Sequence, residues 1–168
     1  MKELAFVPVT DDRRQVFMRL MQDYAGELDA HVGRVTPPEV LEKWTYSIIA
    51  RAVAERDWHQ ELCYDGEDPI GFLYGKVDHP GDKGYVKPGY GYVMEFYVLP
   101  ERRRRGVGRA LFGRLETLFE EDGVERLYLT ADPVTGRPFW EAMGFVDSGE
   151  TSPENGLPIY EKEVARKL

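Results

Sequence analysis

Residues 92–111 constrain the fold more than any other part of the chain, because they predict a buried strand, a basic turn and the start of a helix. The segment Tyr92–Val98 is apolar on both faces except for Glu95. This pattern is typical of a strand inside a sheet that is covered on both sides. Pro100 should end the strand, since proline donates no hydrogen bond to a ladder. Beyond the turn, apolar residues at helical spacing predict a helix. They are Val107, Ala110, Leu111, Leu115 and Leu118.

The turn between this strand and helix predicts an anion-binding site. It contains four arginines, Arg102–Arg105, followed by Gly106 and Gly108. The glycines let a ligand approach the main chain closely. A helix start presents free N–H groups and the positive end of the helix dipole, and the arginines, with Arg109, add charge and forked donors. A strand, a basic glycine turn and a helix start in this order predict a ligand that carries phosphate.

Other motifs fit this turn less well. A dinucleotide-binding Gly-x-Gly-x-x-Gly would need a glycine at position 111, which is leucine, and the Gly-Lys-Ser/Thr of a Walker loop is absent. A run of arginines is also common on solvated surfaces or on surfaces that face nucleic acid. The position of the run between a buried strand and a helix start favours the ligand site.

The segment Arg103–Gly108 resembles the (Gln/Arg)-x-x-Gly-x-(Gly/Ala) signature of the GCN5-related N-acetyltransferase (GNAT) family, with the usual Val-x-Pro before it. A strand predicted at Val124–Thr130 and the segment Phe139–Phe145 are similar to the family's closing aromatic and Gly-Phe region. The resemblance is specific over residues 90–148 and only topological before them. It implies that acetyl-CoA is the acyl donor and that the turn holds its pyrophosphate.

The resemblance also implies a set of site residues. The main chain of Tyr97–Leu99 would pair with the pantetheine arm, and a main-chain N–H near Val98 would stabilise the oxyanion of the reaction. Val98 is therefore a candidate catalytic position. Contacts with the cofactor are expected at Tyr97, Val98, Leu99, Arg103, Arg104, Arg105, Gly106, Val107, Gly108, Arg109, Thr135, Gly136 and Trp140.

Glu95 is the candidate catalytic carboxylate. An alkylammonium titrates near pH ~10.4, so transfer to an amine at neutral pH needs a base or a water chain. A carboxylate on an otherwise apolar central strand costs several kcal/mol unless it is paired or its pKa rises. Such a residue marks a functional site, either as a base or as a binder of the ammonium group. The alternative is a buried ion pair with an arginine.

The chain departs from the family at the position of the usual general acid. A tyrosine often stands there, and this chain has Trp140, whose indole donates no useful proton. Tyr97, Tyr128 and Tyr160 remain as candidate donors to the leaving thiolate. Trp140 would pack either against the cofactor or in the core. The region that usually carries asparagine reads 132–136, Asp-Pro-Val-Thr-Gly.

Length and composition bound the remaining possibilities. A chain of 168 residues predicts a single domain, residues 1–168, with a real core. A net charge of −8 argues against nucleic-acid binding and suits a cationic small molecule or peptide amine. The single cysteine, Cys63, predicts a small core residue and a reducing cytoplasm. No stretch approaches the ~18 apolar residues of a membrane span. The three histidines lack metal-ligand spacing, so no metal is expected.

The order of elements completes the prediction of the fold. A strand at Leu4–Val9 precedes a helix at Arg13–Tyr24, whose apolar side chains share one face; they are Val16, Phe17, Leu20, Met21 and Tyr24. A polar break at 26–36 follows, and then a second helix opened by Pro37 and Pro38 with Leu41, Trp44, Ile48 and Ala52 inward. Strands at Trp58–Tyr64 and Ile70–Val77 and a glycine-rich loop at 78–91 follow, and the chain ends with strands at Phe145–Ser148 and Leu157–Val164. With the resemblance, this order implies an α/β (α+β) fold. It has a GNAT-type mixed, mostly antiparallel central sheet of about seven strands flanked by about four helices, with its central strands splayed.

The predicted function is acetyl transfer from acetyl-CoA to a primary amine of a small molecule or peptide, directly within a ternary complex. A non-catalytic acyl-CoA-binding module of the same fold is the alternative. Binding of nucleic acid through Arg102–Arg105 is a third reading, which steep salt dependence would reveal. Homodimers are common among relatives. The acceptor, the donor of the proton to the thiolate, the oligomeric state and the use of longer acyl groups stay open.

Overall fold

The computed structural model describes residues 3–55, 57–131 and 136–166. Within these residues seven strands form one sheet. The strands are β1 (Leu4–Pro8), β2 (Trp58–Asp65), β3 (Asp68–Val77), β4 (Gly91–Val98), β5 (Arg126–Thr130), β6 (Val146–Thr151) and β7 (Pro158–Glu163), and the α-helices are α1 (Arg14–Val32), α2 (Pro38–Ala54), α3 (Val107–Glu121) and α4 (Arg137–Ala142). The strand order is β1-β2-β3-β4-β5-β7-β6. The predicted mixed, mostly antiparallel sheet with four helices is confirmed.

The chain divides into two compact units. The first contains the described residues up to Tyr74 together with Glu95–Leu111, and the second contains Gly75–Met94 and the described residues from Phe112 onward. Both β3 and β4 have residues in each unit. The expectation that residues 1–168 form a single domain stays a prediction.

The core of the first unit lies between α1, α2 and the sheet. Its buried members are Val9, Phe17, Leu20, Met21, Leu41, Ile49, Leu62, Phe72 and Tyr97. The α1 members recur at helical spacing, as predicted, and Phe17 and Phe72 pack edge to face with centroids 5.2 Å apart. This cluster fixes α1 against the strands that carry the candidate site.

The predicted break after Tyr24 is wrong, because α1 continues to Val32. One glycine inside a helix costs only about 1 kcal/mol relative to alanine, and Gly26 is accommodated within the helix. The helix ends at Gly33, which adopts the left-handed conformation with φ 66°. The carboxylate of Asp29 then accepts the Thr36 N–H at 2.6 Å, which helps to order the connection to α2.

The inward face of α2 is also displaced from the predicted one. Leu41, Thr45 and Ile49 are buried, whereas the side chain of Trp44 is 51% exposed. Thr45 is tolerated in the core because its hydroxyl donates to the Leu41 carbonyl at 2.8 Å. Sequence hydrophobicity favoured the tryptophan, but helix packing selects the residues spaced by four.

The core of the second unit is built from α3, β5 and β7. The predicted stripe of α3 is confirmed, since Leu115 is fully buried and Leu118 nearly so. The buried residues of the strands are Leu127, Tyr128, Leu129, Ile159 and Tyr160. β6 pairs antiparallel with β7, and its residues are exposed along its whole length. Among the described residues, β4 and β5 pair in parallel only at Gly91–Leu127 and Tyr92–Tyr128. This is the limited pairing that the resemblance implies for the central strands.

A buried aspartate holds the loop predicted at 78–91. Asp78 is fully buried, and its Oδ2 accepts the Tyr128 hydroxyl and the Lys87 N–H, the latter at 2.9 Å. Lys76 Nζ lies 2.8 Å from Asp78 Oδ1 and 2.8 Å from Asp82 Oδ2. The loop is therefore tied to a charged cluster inside the second unit. Over the described part of the chain, no helix is long and apolar enough to cross a membrane.

Candidate active site

Glu95 lies on β4 in the first unit, where it is half-buried. The Tyr24 hydroxyl on α1 donates a hydrogen bond to its Oε2 atom. Burial raises the pKa of the Glu95 carboxyl from 4.5 to about 7. The arginine pair that sequence reasoning weighed for this residue is not found among the described residues. A carboxyl that titrates near neutral pH can accept a proton from a substrate and release it again.

Sequence reasoning missed Tyr24 as a site residue. It placed this tyrosine on the inward face of the first helix, and the only available signal was a hydroxyl within a stripe that is otherwise apolar. In the structure the Tyr24 ring meets Phe72 edge to face at 5.7 Å and Tyr97 at 5.7 Å. The packing of the rings thus directs the hydroxyl toward Glu95.

The basic turn contains two residues in the left-handed conformation. Gly106 has φ 83°, and Arg104 has φ 63°, which makes it the one non-glycine residue with positive φ among the described residues. A non-glycine residue in this region costs roughly 1–2 kcal/mol, and such strain clusters at binding sites. The turn leads directly into α3, where Val107 is buried and Gly108 is half-buried. Val107 can therefore meet a ligand only through its main chain.

The four arginines of the turn divide into two pairs. Arg102 binds the carboxylates of Asp65 at 2.8 Å and Asp68 at 3.2 Å. Arg103 binds Glu27 at 2.7 Å. Arg104 and Arg105 are exposed, as is Arg109 on the first turn of α3. These three guanidiniums are therefore available for the predicted contacts with a phosphate. The Arg103 guanidinium, in contrast, is already bound to Glu27.

The end of β4 is held closely against β3. The Leu99 N–H donates to the Ile70 carbonyl at 2.9 Å, and the Leu99 carbonyl accepts the Arg102 N–H at 2.9 Å. Both main-chain groups of Leu99 are thus used, and the Val98 carbonyl accepts a hydrogen bond from Arg103 Nε at 2.8 Å. The pairing of residues 97–99 with the pantetheine arm stays a prediction. The Tyr97 ring is buried, which leaves its main chain for that role. The oxyanion role of the Val98 N–H stays a prediction.

The predicted contacts in the second unit are described in part. Thr135 lies outside the described residues, and Gly136 precedes α4, where its carbonyl accepts the Trp140 N–H at 3.2 Å. The half-buried Trp140 ring packs edge to face against Phe139 at 4.8 Å and Phe145 at 5.5 Å. These contacts support the core role that sequence reasoning allowed for Trp140.

The three tyrosines considered as proton donors to the thiolate are all buried. Burial raises the pKa of Tyr97 to about 12. Burial, followed by the hydrogen bond to Asp78, also raises the pKa of Tyr128. Tyr160 is likewise enclosed. Tyr97 and Tyr128 are therefore weaker acids than a free phenol, which makes them poor donors.

The Cys63 thiol is buried in β2, and burial raises its pKa to about 12. This favours the predicted core role over a nucleophile. No cluster of three or more potential metal-binding side chains occurs in the ranges that the structure describes.

Comparison with known proteins agrees with this geometry. The profile of the acetyltransferase (GNAT) family matches residues 17–145. The chain belongs to the GNAT family. No curated protein sequence matches it significantly.

Solved structures show the same fold as this GNAT chain. The PaiA N-acetyltransferase of Thermoplasma acidophilum, in complex with coenzyme A, has a TM-score of 0.72 at 15% identity and covers 96% of this chain and 99% of its own. An acetyltransferase of Thermus thermophilus has a TM-score of 0.74 at 21% identity, covering 97% of both chains. AAC(6')-Iy, bound to the bisubstrate analogue CoA-S-monomethyl-acetylneamine, has a TM-score of 0.69 at 14% identity, covering 89% of this chain and 95% of its own. The family match supports acyl-CoA-dependent acetyl transfer as the general activity.

Proposed function

We propose that this protein is an N-acetyltransferase that transfers the acetyl group of acetyl-CoA to a primary amine of a small molecule or peptide, directly within a ternary complex. The observation that carries the proposal is Glu95, a half-buried carboxyl with a pKa of about 7. It lies on the strand that leads into the strained basic turn before α3. A base and an anion-binding turn on one strand–turn–helix segment suit a reaction between an amine and a CoA thioester.

The residues take the following roles in this proposal. The main chain at Gly106 and Gly108, with the exposed guanidiniums of Arg104, Arg105 and Arg109, binds the pyrophosphate of acetyl-CoA. Glu95 takes a proton from the acceptor ammonium, and the free amine attacks the thioester carbonyl. The N–C bond forms, the Val98 N–H donates to the oxyanion, and the C–S bond breaks to release coenzyme A as a thiolate. The product nitrogen releases its second proton to water, water protonates the thiolate, and Glu95 returns its proton to solvent, so that the neutral amide and coenzyme A remain.

Charge near Tyr97, two positions along β4 from Glu95, favours a cationic acceptor. Burial raises the pKa of Tyr97 most, and the carboxylates of Glu27, Asp23 and Glu101 raise it further, against the guanidinium of Arg103. The chain as a whole carries a net charge of −8. The amine of an ammonium substrate would be attracted to this surface. The acetylneamine part of the analogue bound to AAC(6')-Iy is compatible with this class of acceptor. A cytoplasmic location and a homodimer belong to the same proposal.

The test measures thiol release from acetyl-CoA with a panel of polyamines, aminoglycosides, amino acids and peptides. We expect turnover with at least one amine and a loss of at least about 100-fold in kcat for Glu95→Gln, since general bases contribute ~10²–10⁴-fold. Calorimetry should show that Glu95→Gln still binds acetyl-CoA. Glu121→Gln, at the exposed end of α3, is the matched control and should behave as the wild type. Full activity of Glu95→Gln would overturn the proposal.

The alternative is a non-catalytic acyl-CoA-binding module. Its support is Trp140, which stands where the family often has its tyrosine acid and packs among Phe112, Phe139 and Phe145. This reading predicts saturable acetyl-CoA binding without thiol release across the whole panel. The nucleic-acid reading predicts affinity for DNA or RNA that falls steeply with salt and that acetyl-CoA does not compete away.

A further inference from the structure

The hydrogen bond between Tyr24 and Glu95 engages only one of the two carboxyl oxygens. The Tyr24 hydroxyl donates to Oε2, and Oε1 has no hydrogen-bond partner in the described part of the chain. We propose that Tyr24 is a positioning residue of the reaction, which holds Oε2 of Glu95 so that Oε1 is presented to the acceptor ammonium. This inference rests on the proposed function and adds to it a residue of α1 that the family signature does not contain.

The orientation of Tyr24 is fixed before any substrate binds. Its ring lies at 90° to the Phe72 ring with centroids 5.7 Å apart, and it also contacts Tyr97. Phe72 is in turn held edge to face by Phe17. A rotation of the Tyr24 side chain would break these ring contacts, so the hydroxyl has little freedom to leave the carboxyl. Residues locked by packing in this way are the supports that a precise base requires.

In the described part of the chain, the Tyr24 hydroxyl on α1 is the group that hydrogen-bonds the carboxyl. Tyr97 lies two positions further along β4. Charged groups act on Tyr97, and they are Glu27, Asp23, Arg103 and Glu101. The raised pKa of Glu95 has burial as its cause. A hydrogen bond donated to a carboxylate favours the charged form. Tyr24 thus opposes burial and keeps more of the base ionised at neutral pH.

The experiment compares Tyr24→Phe, which removes only the hydroxyl, with Tyr46→Phe as control. Tyr46 on α2 is 39% exposed, and its ring lies 4.7 Å from the Arg14 guanidinium carbon, a contact that phenylalanine keeps. The dependence of kcat/KM on pH is measured with an amine that the panel identifies. We expect Tyr24→Phe to move the acid limb upward by about one pH unit and to lower kcat about tenfold near pH 7. Tyr46→Phe should match the wild type.

Two further variants separate positioning from structural support. If Tyr24 acts through Glu95, adding Tyr24→Phe to Glu95→Gln should cause no further loss of kcat. Calorimetry should give the same acetyl-CoA affinity for Tyr24→Phe and wild type. A folded Tyr24→Phe variant with wild-type kcat and an unmoved acid limb would overturn the proposal. A double variant in which kcat falls by the product of the two single losses would also overturn it.

A direct titration distinguishes failure of this inference from failure of the proposed function. Carbon-13 NMR of labelled glutamate carboxyls, with Glu95→Gln to assign the signal, reports the Glu95 pKa without any turnover. Tyr24→Phe should raise that pKa by about one unit. If the wild type acetylates no amine, the proposed function fails, and the titration alone then decides whether Tyr24 holds Glu95. An unmoved Glu95 pKa would overturn the pairing in either case.

Discussion

The Nε atom of Arg103 donates a hydrogen bond of 2.8 Å to the main-chain carbonyl of Val98. The same guanidinium binds Glu27 on α1 at 2.7 Å, and its central carbon lies 5.6 Å from the centroid of the Tyr97 ring. One side chain thus connects the basic turn, the end of β4 and α1. A planar, forked cation can make these contacts together, whereas the single ammonium of lysine cannot.

We therefore expect Arg103→Lys to impair catalysis more than stability. Because the Arg103 side chain is 43% exposed, losing the ion pair should lower the free energy of unfolding by only about 1 kcal/mol or less. The end of β4 would lose a fixed contact, and kcat/KM should fall about tenfold. Glu27→Gln should have a smaller effect in the same direction. Steady-state kinetics and urea unfolding check both. Unchanged kinetics for Arg103→Lys would contradict the link. Arg166→Lys is the control, because Arg166 is 73% exposed and pairs with Glu125 at 3.6 Å.

Neighbouring arginines of the turn should respond in opposite ways. Arg102→Ala loses two carboxylate partners, so we expect a stability loss of about 1 kcal/mol and unchanged acetyl-CoA affinity. Arg104→Gly relieves the left-handed strain at φ 63°, so we expect it to gain about 1 kcal/mol of stability and to bind acetyl-CoA several-fold more weakly. Arg104→Ala removes the charge but keeps the left-handed strain, so it should weaken acetyl-CoA binding without the gain in stability. Unfolding curves and calorimetry at two salt concentrations measure the effects. Weaker cofactor binding by Arg102→Ala than by Arg104→Gly would refute this division.

Short stretches of sequence were enough to predict the apolar stripe of α3, the candidate base and the basic turn. The stripe of α3 follows from helical periodicity, and Val107, Leu111 and Leu115 are buried as that pattern requires. Glu95 was recognised because a carboxylate on an otherwise apolar strand costs free energy unless it is paired or its pKa rises. The family signature at the turn added the cofactor. In each case the residues that carried the prediction lie close together in the sequence.

The parts that were missed depend on contacts distant in sequence. Tyr24 and Glu95 are separated by 71 positions, and Arg103 and Glu27 by 76. No spacing rule connects such pairs before the helix is packed on the sheet. The exposure of Trp44 has the same origin, since tertiary packing and not hydrophobicity decides which face of α2 is buried. Sequence reasoning could therefore name Glu95 as the candidate base but not Tyr24, which hydrogen-bonds it.

Gly71 should tolerate no side chain, because β3 and β4 approach closely there. A Cβ at Gly71 would lie 2.3 Å from the Tyr97 carbonyl oxygen, which belongs to the main chain and cannot rotate away. We expect Gly71→Ala to lower the free energy of unfolding by roughly 1–3 kcal/mol and to reduce activity by displacing β4. Gly113→Ala in α3, where a Cβ meets nothing within 4 Å, should instead stabilise by roughly 0.5–1 kcal/mol. Equal unfolding curves for the two variants would refute the close approach.

The charged cluster in the second unit should be sensitive to loss of its cation. The fully buried Asp78 depends on Lys76 Nζ at 2.8 Å. We expect Lys76→Met to cost about 3–5 kcal/mol, because it leaves a buried carboxylate without its counter-charge. Asp82→Asn should cost less, since the Asp82 side chain is 32% exposed. Urea unfolding at neutral pH compares the two. A smaller loss for Lys76→Met than for Asp82→Asn would show that Asp78 does not need this partner.

The raised pKa of Glu95 should make stability fall as pH rises. Below its ordinary pKa of 4.5, the carboxyl is protonated in both folded and unfolded chains, so it has no effect. Between 4.5 and about 7 the folded protein binds more protons than the unfolded chain, and the free energy of unfolding therefore decreases. The total decrease is at most about 3 kcal/mol, reduced by the partial exposure of the residue.

Glu95→Gln lacks this titration, so the stability of the wild type relative to this variant should decline across the same interval and then level off. Urea unfolding at a series of pH values from 4 to 9 measures the difference. Tyr24→Phe should extend the decline to higher pH, because the carboxylate then loses the hydroxyl that favours its charged form. Parallel stability curves for the wild type and Glu95→Gln would mean that Glu95 is ordinarily ionised, and hence that burial does not adapt it to accept a proton near neutral pH.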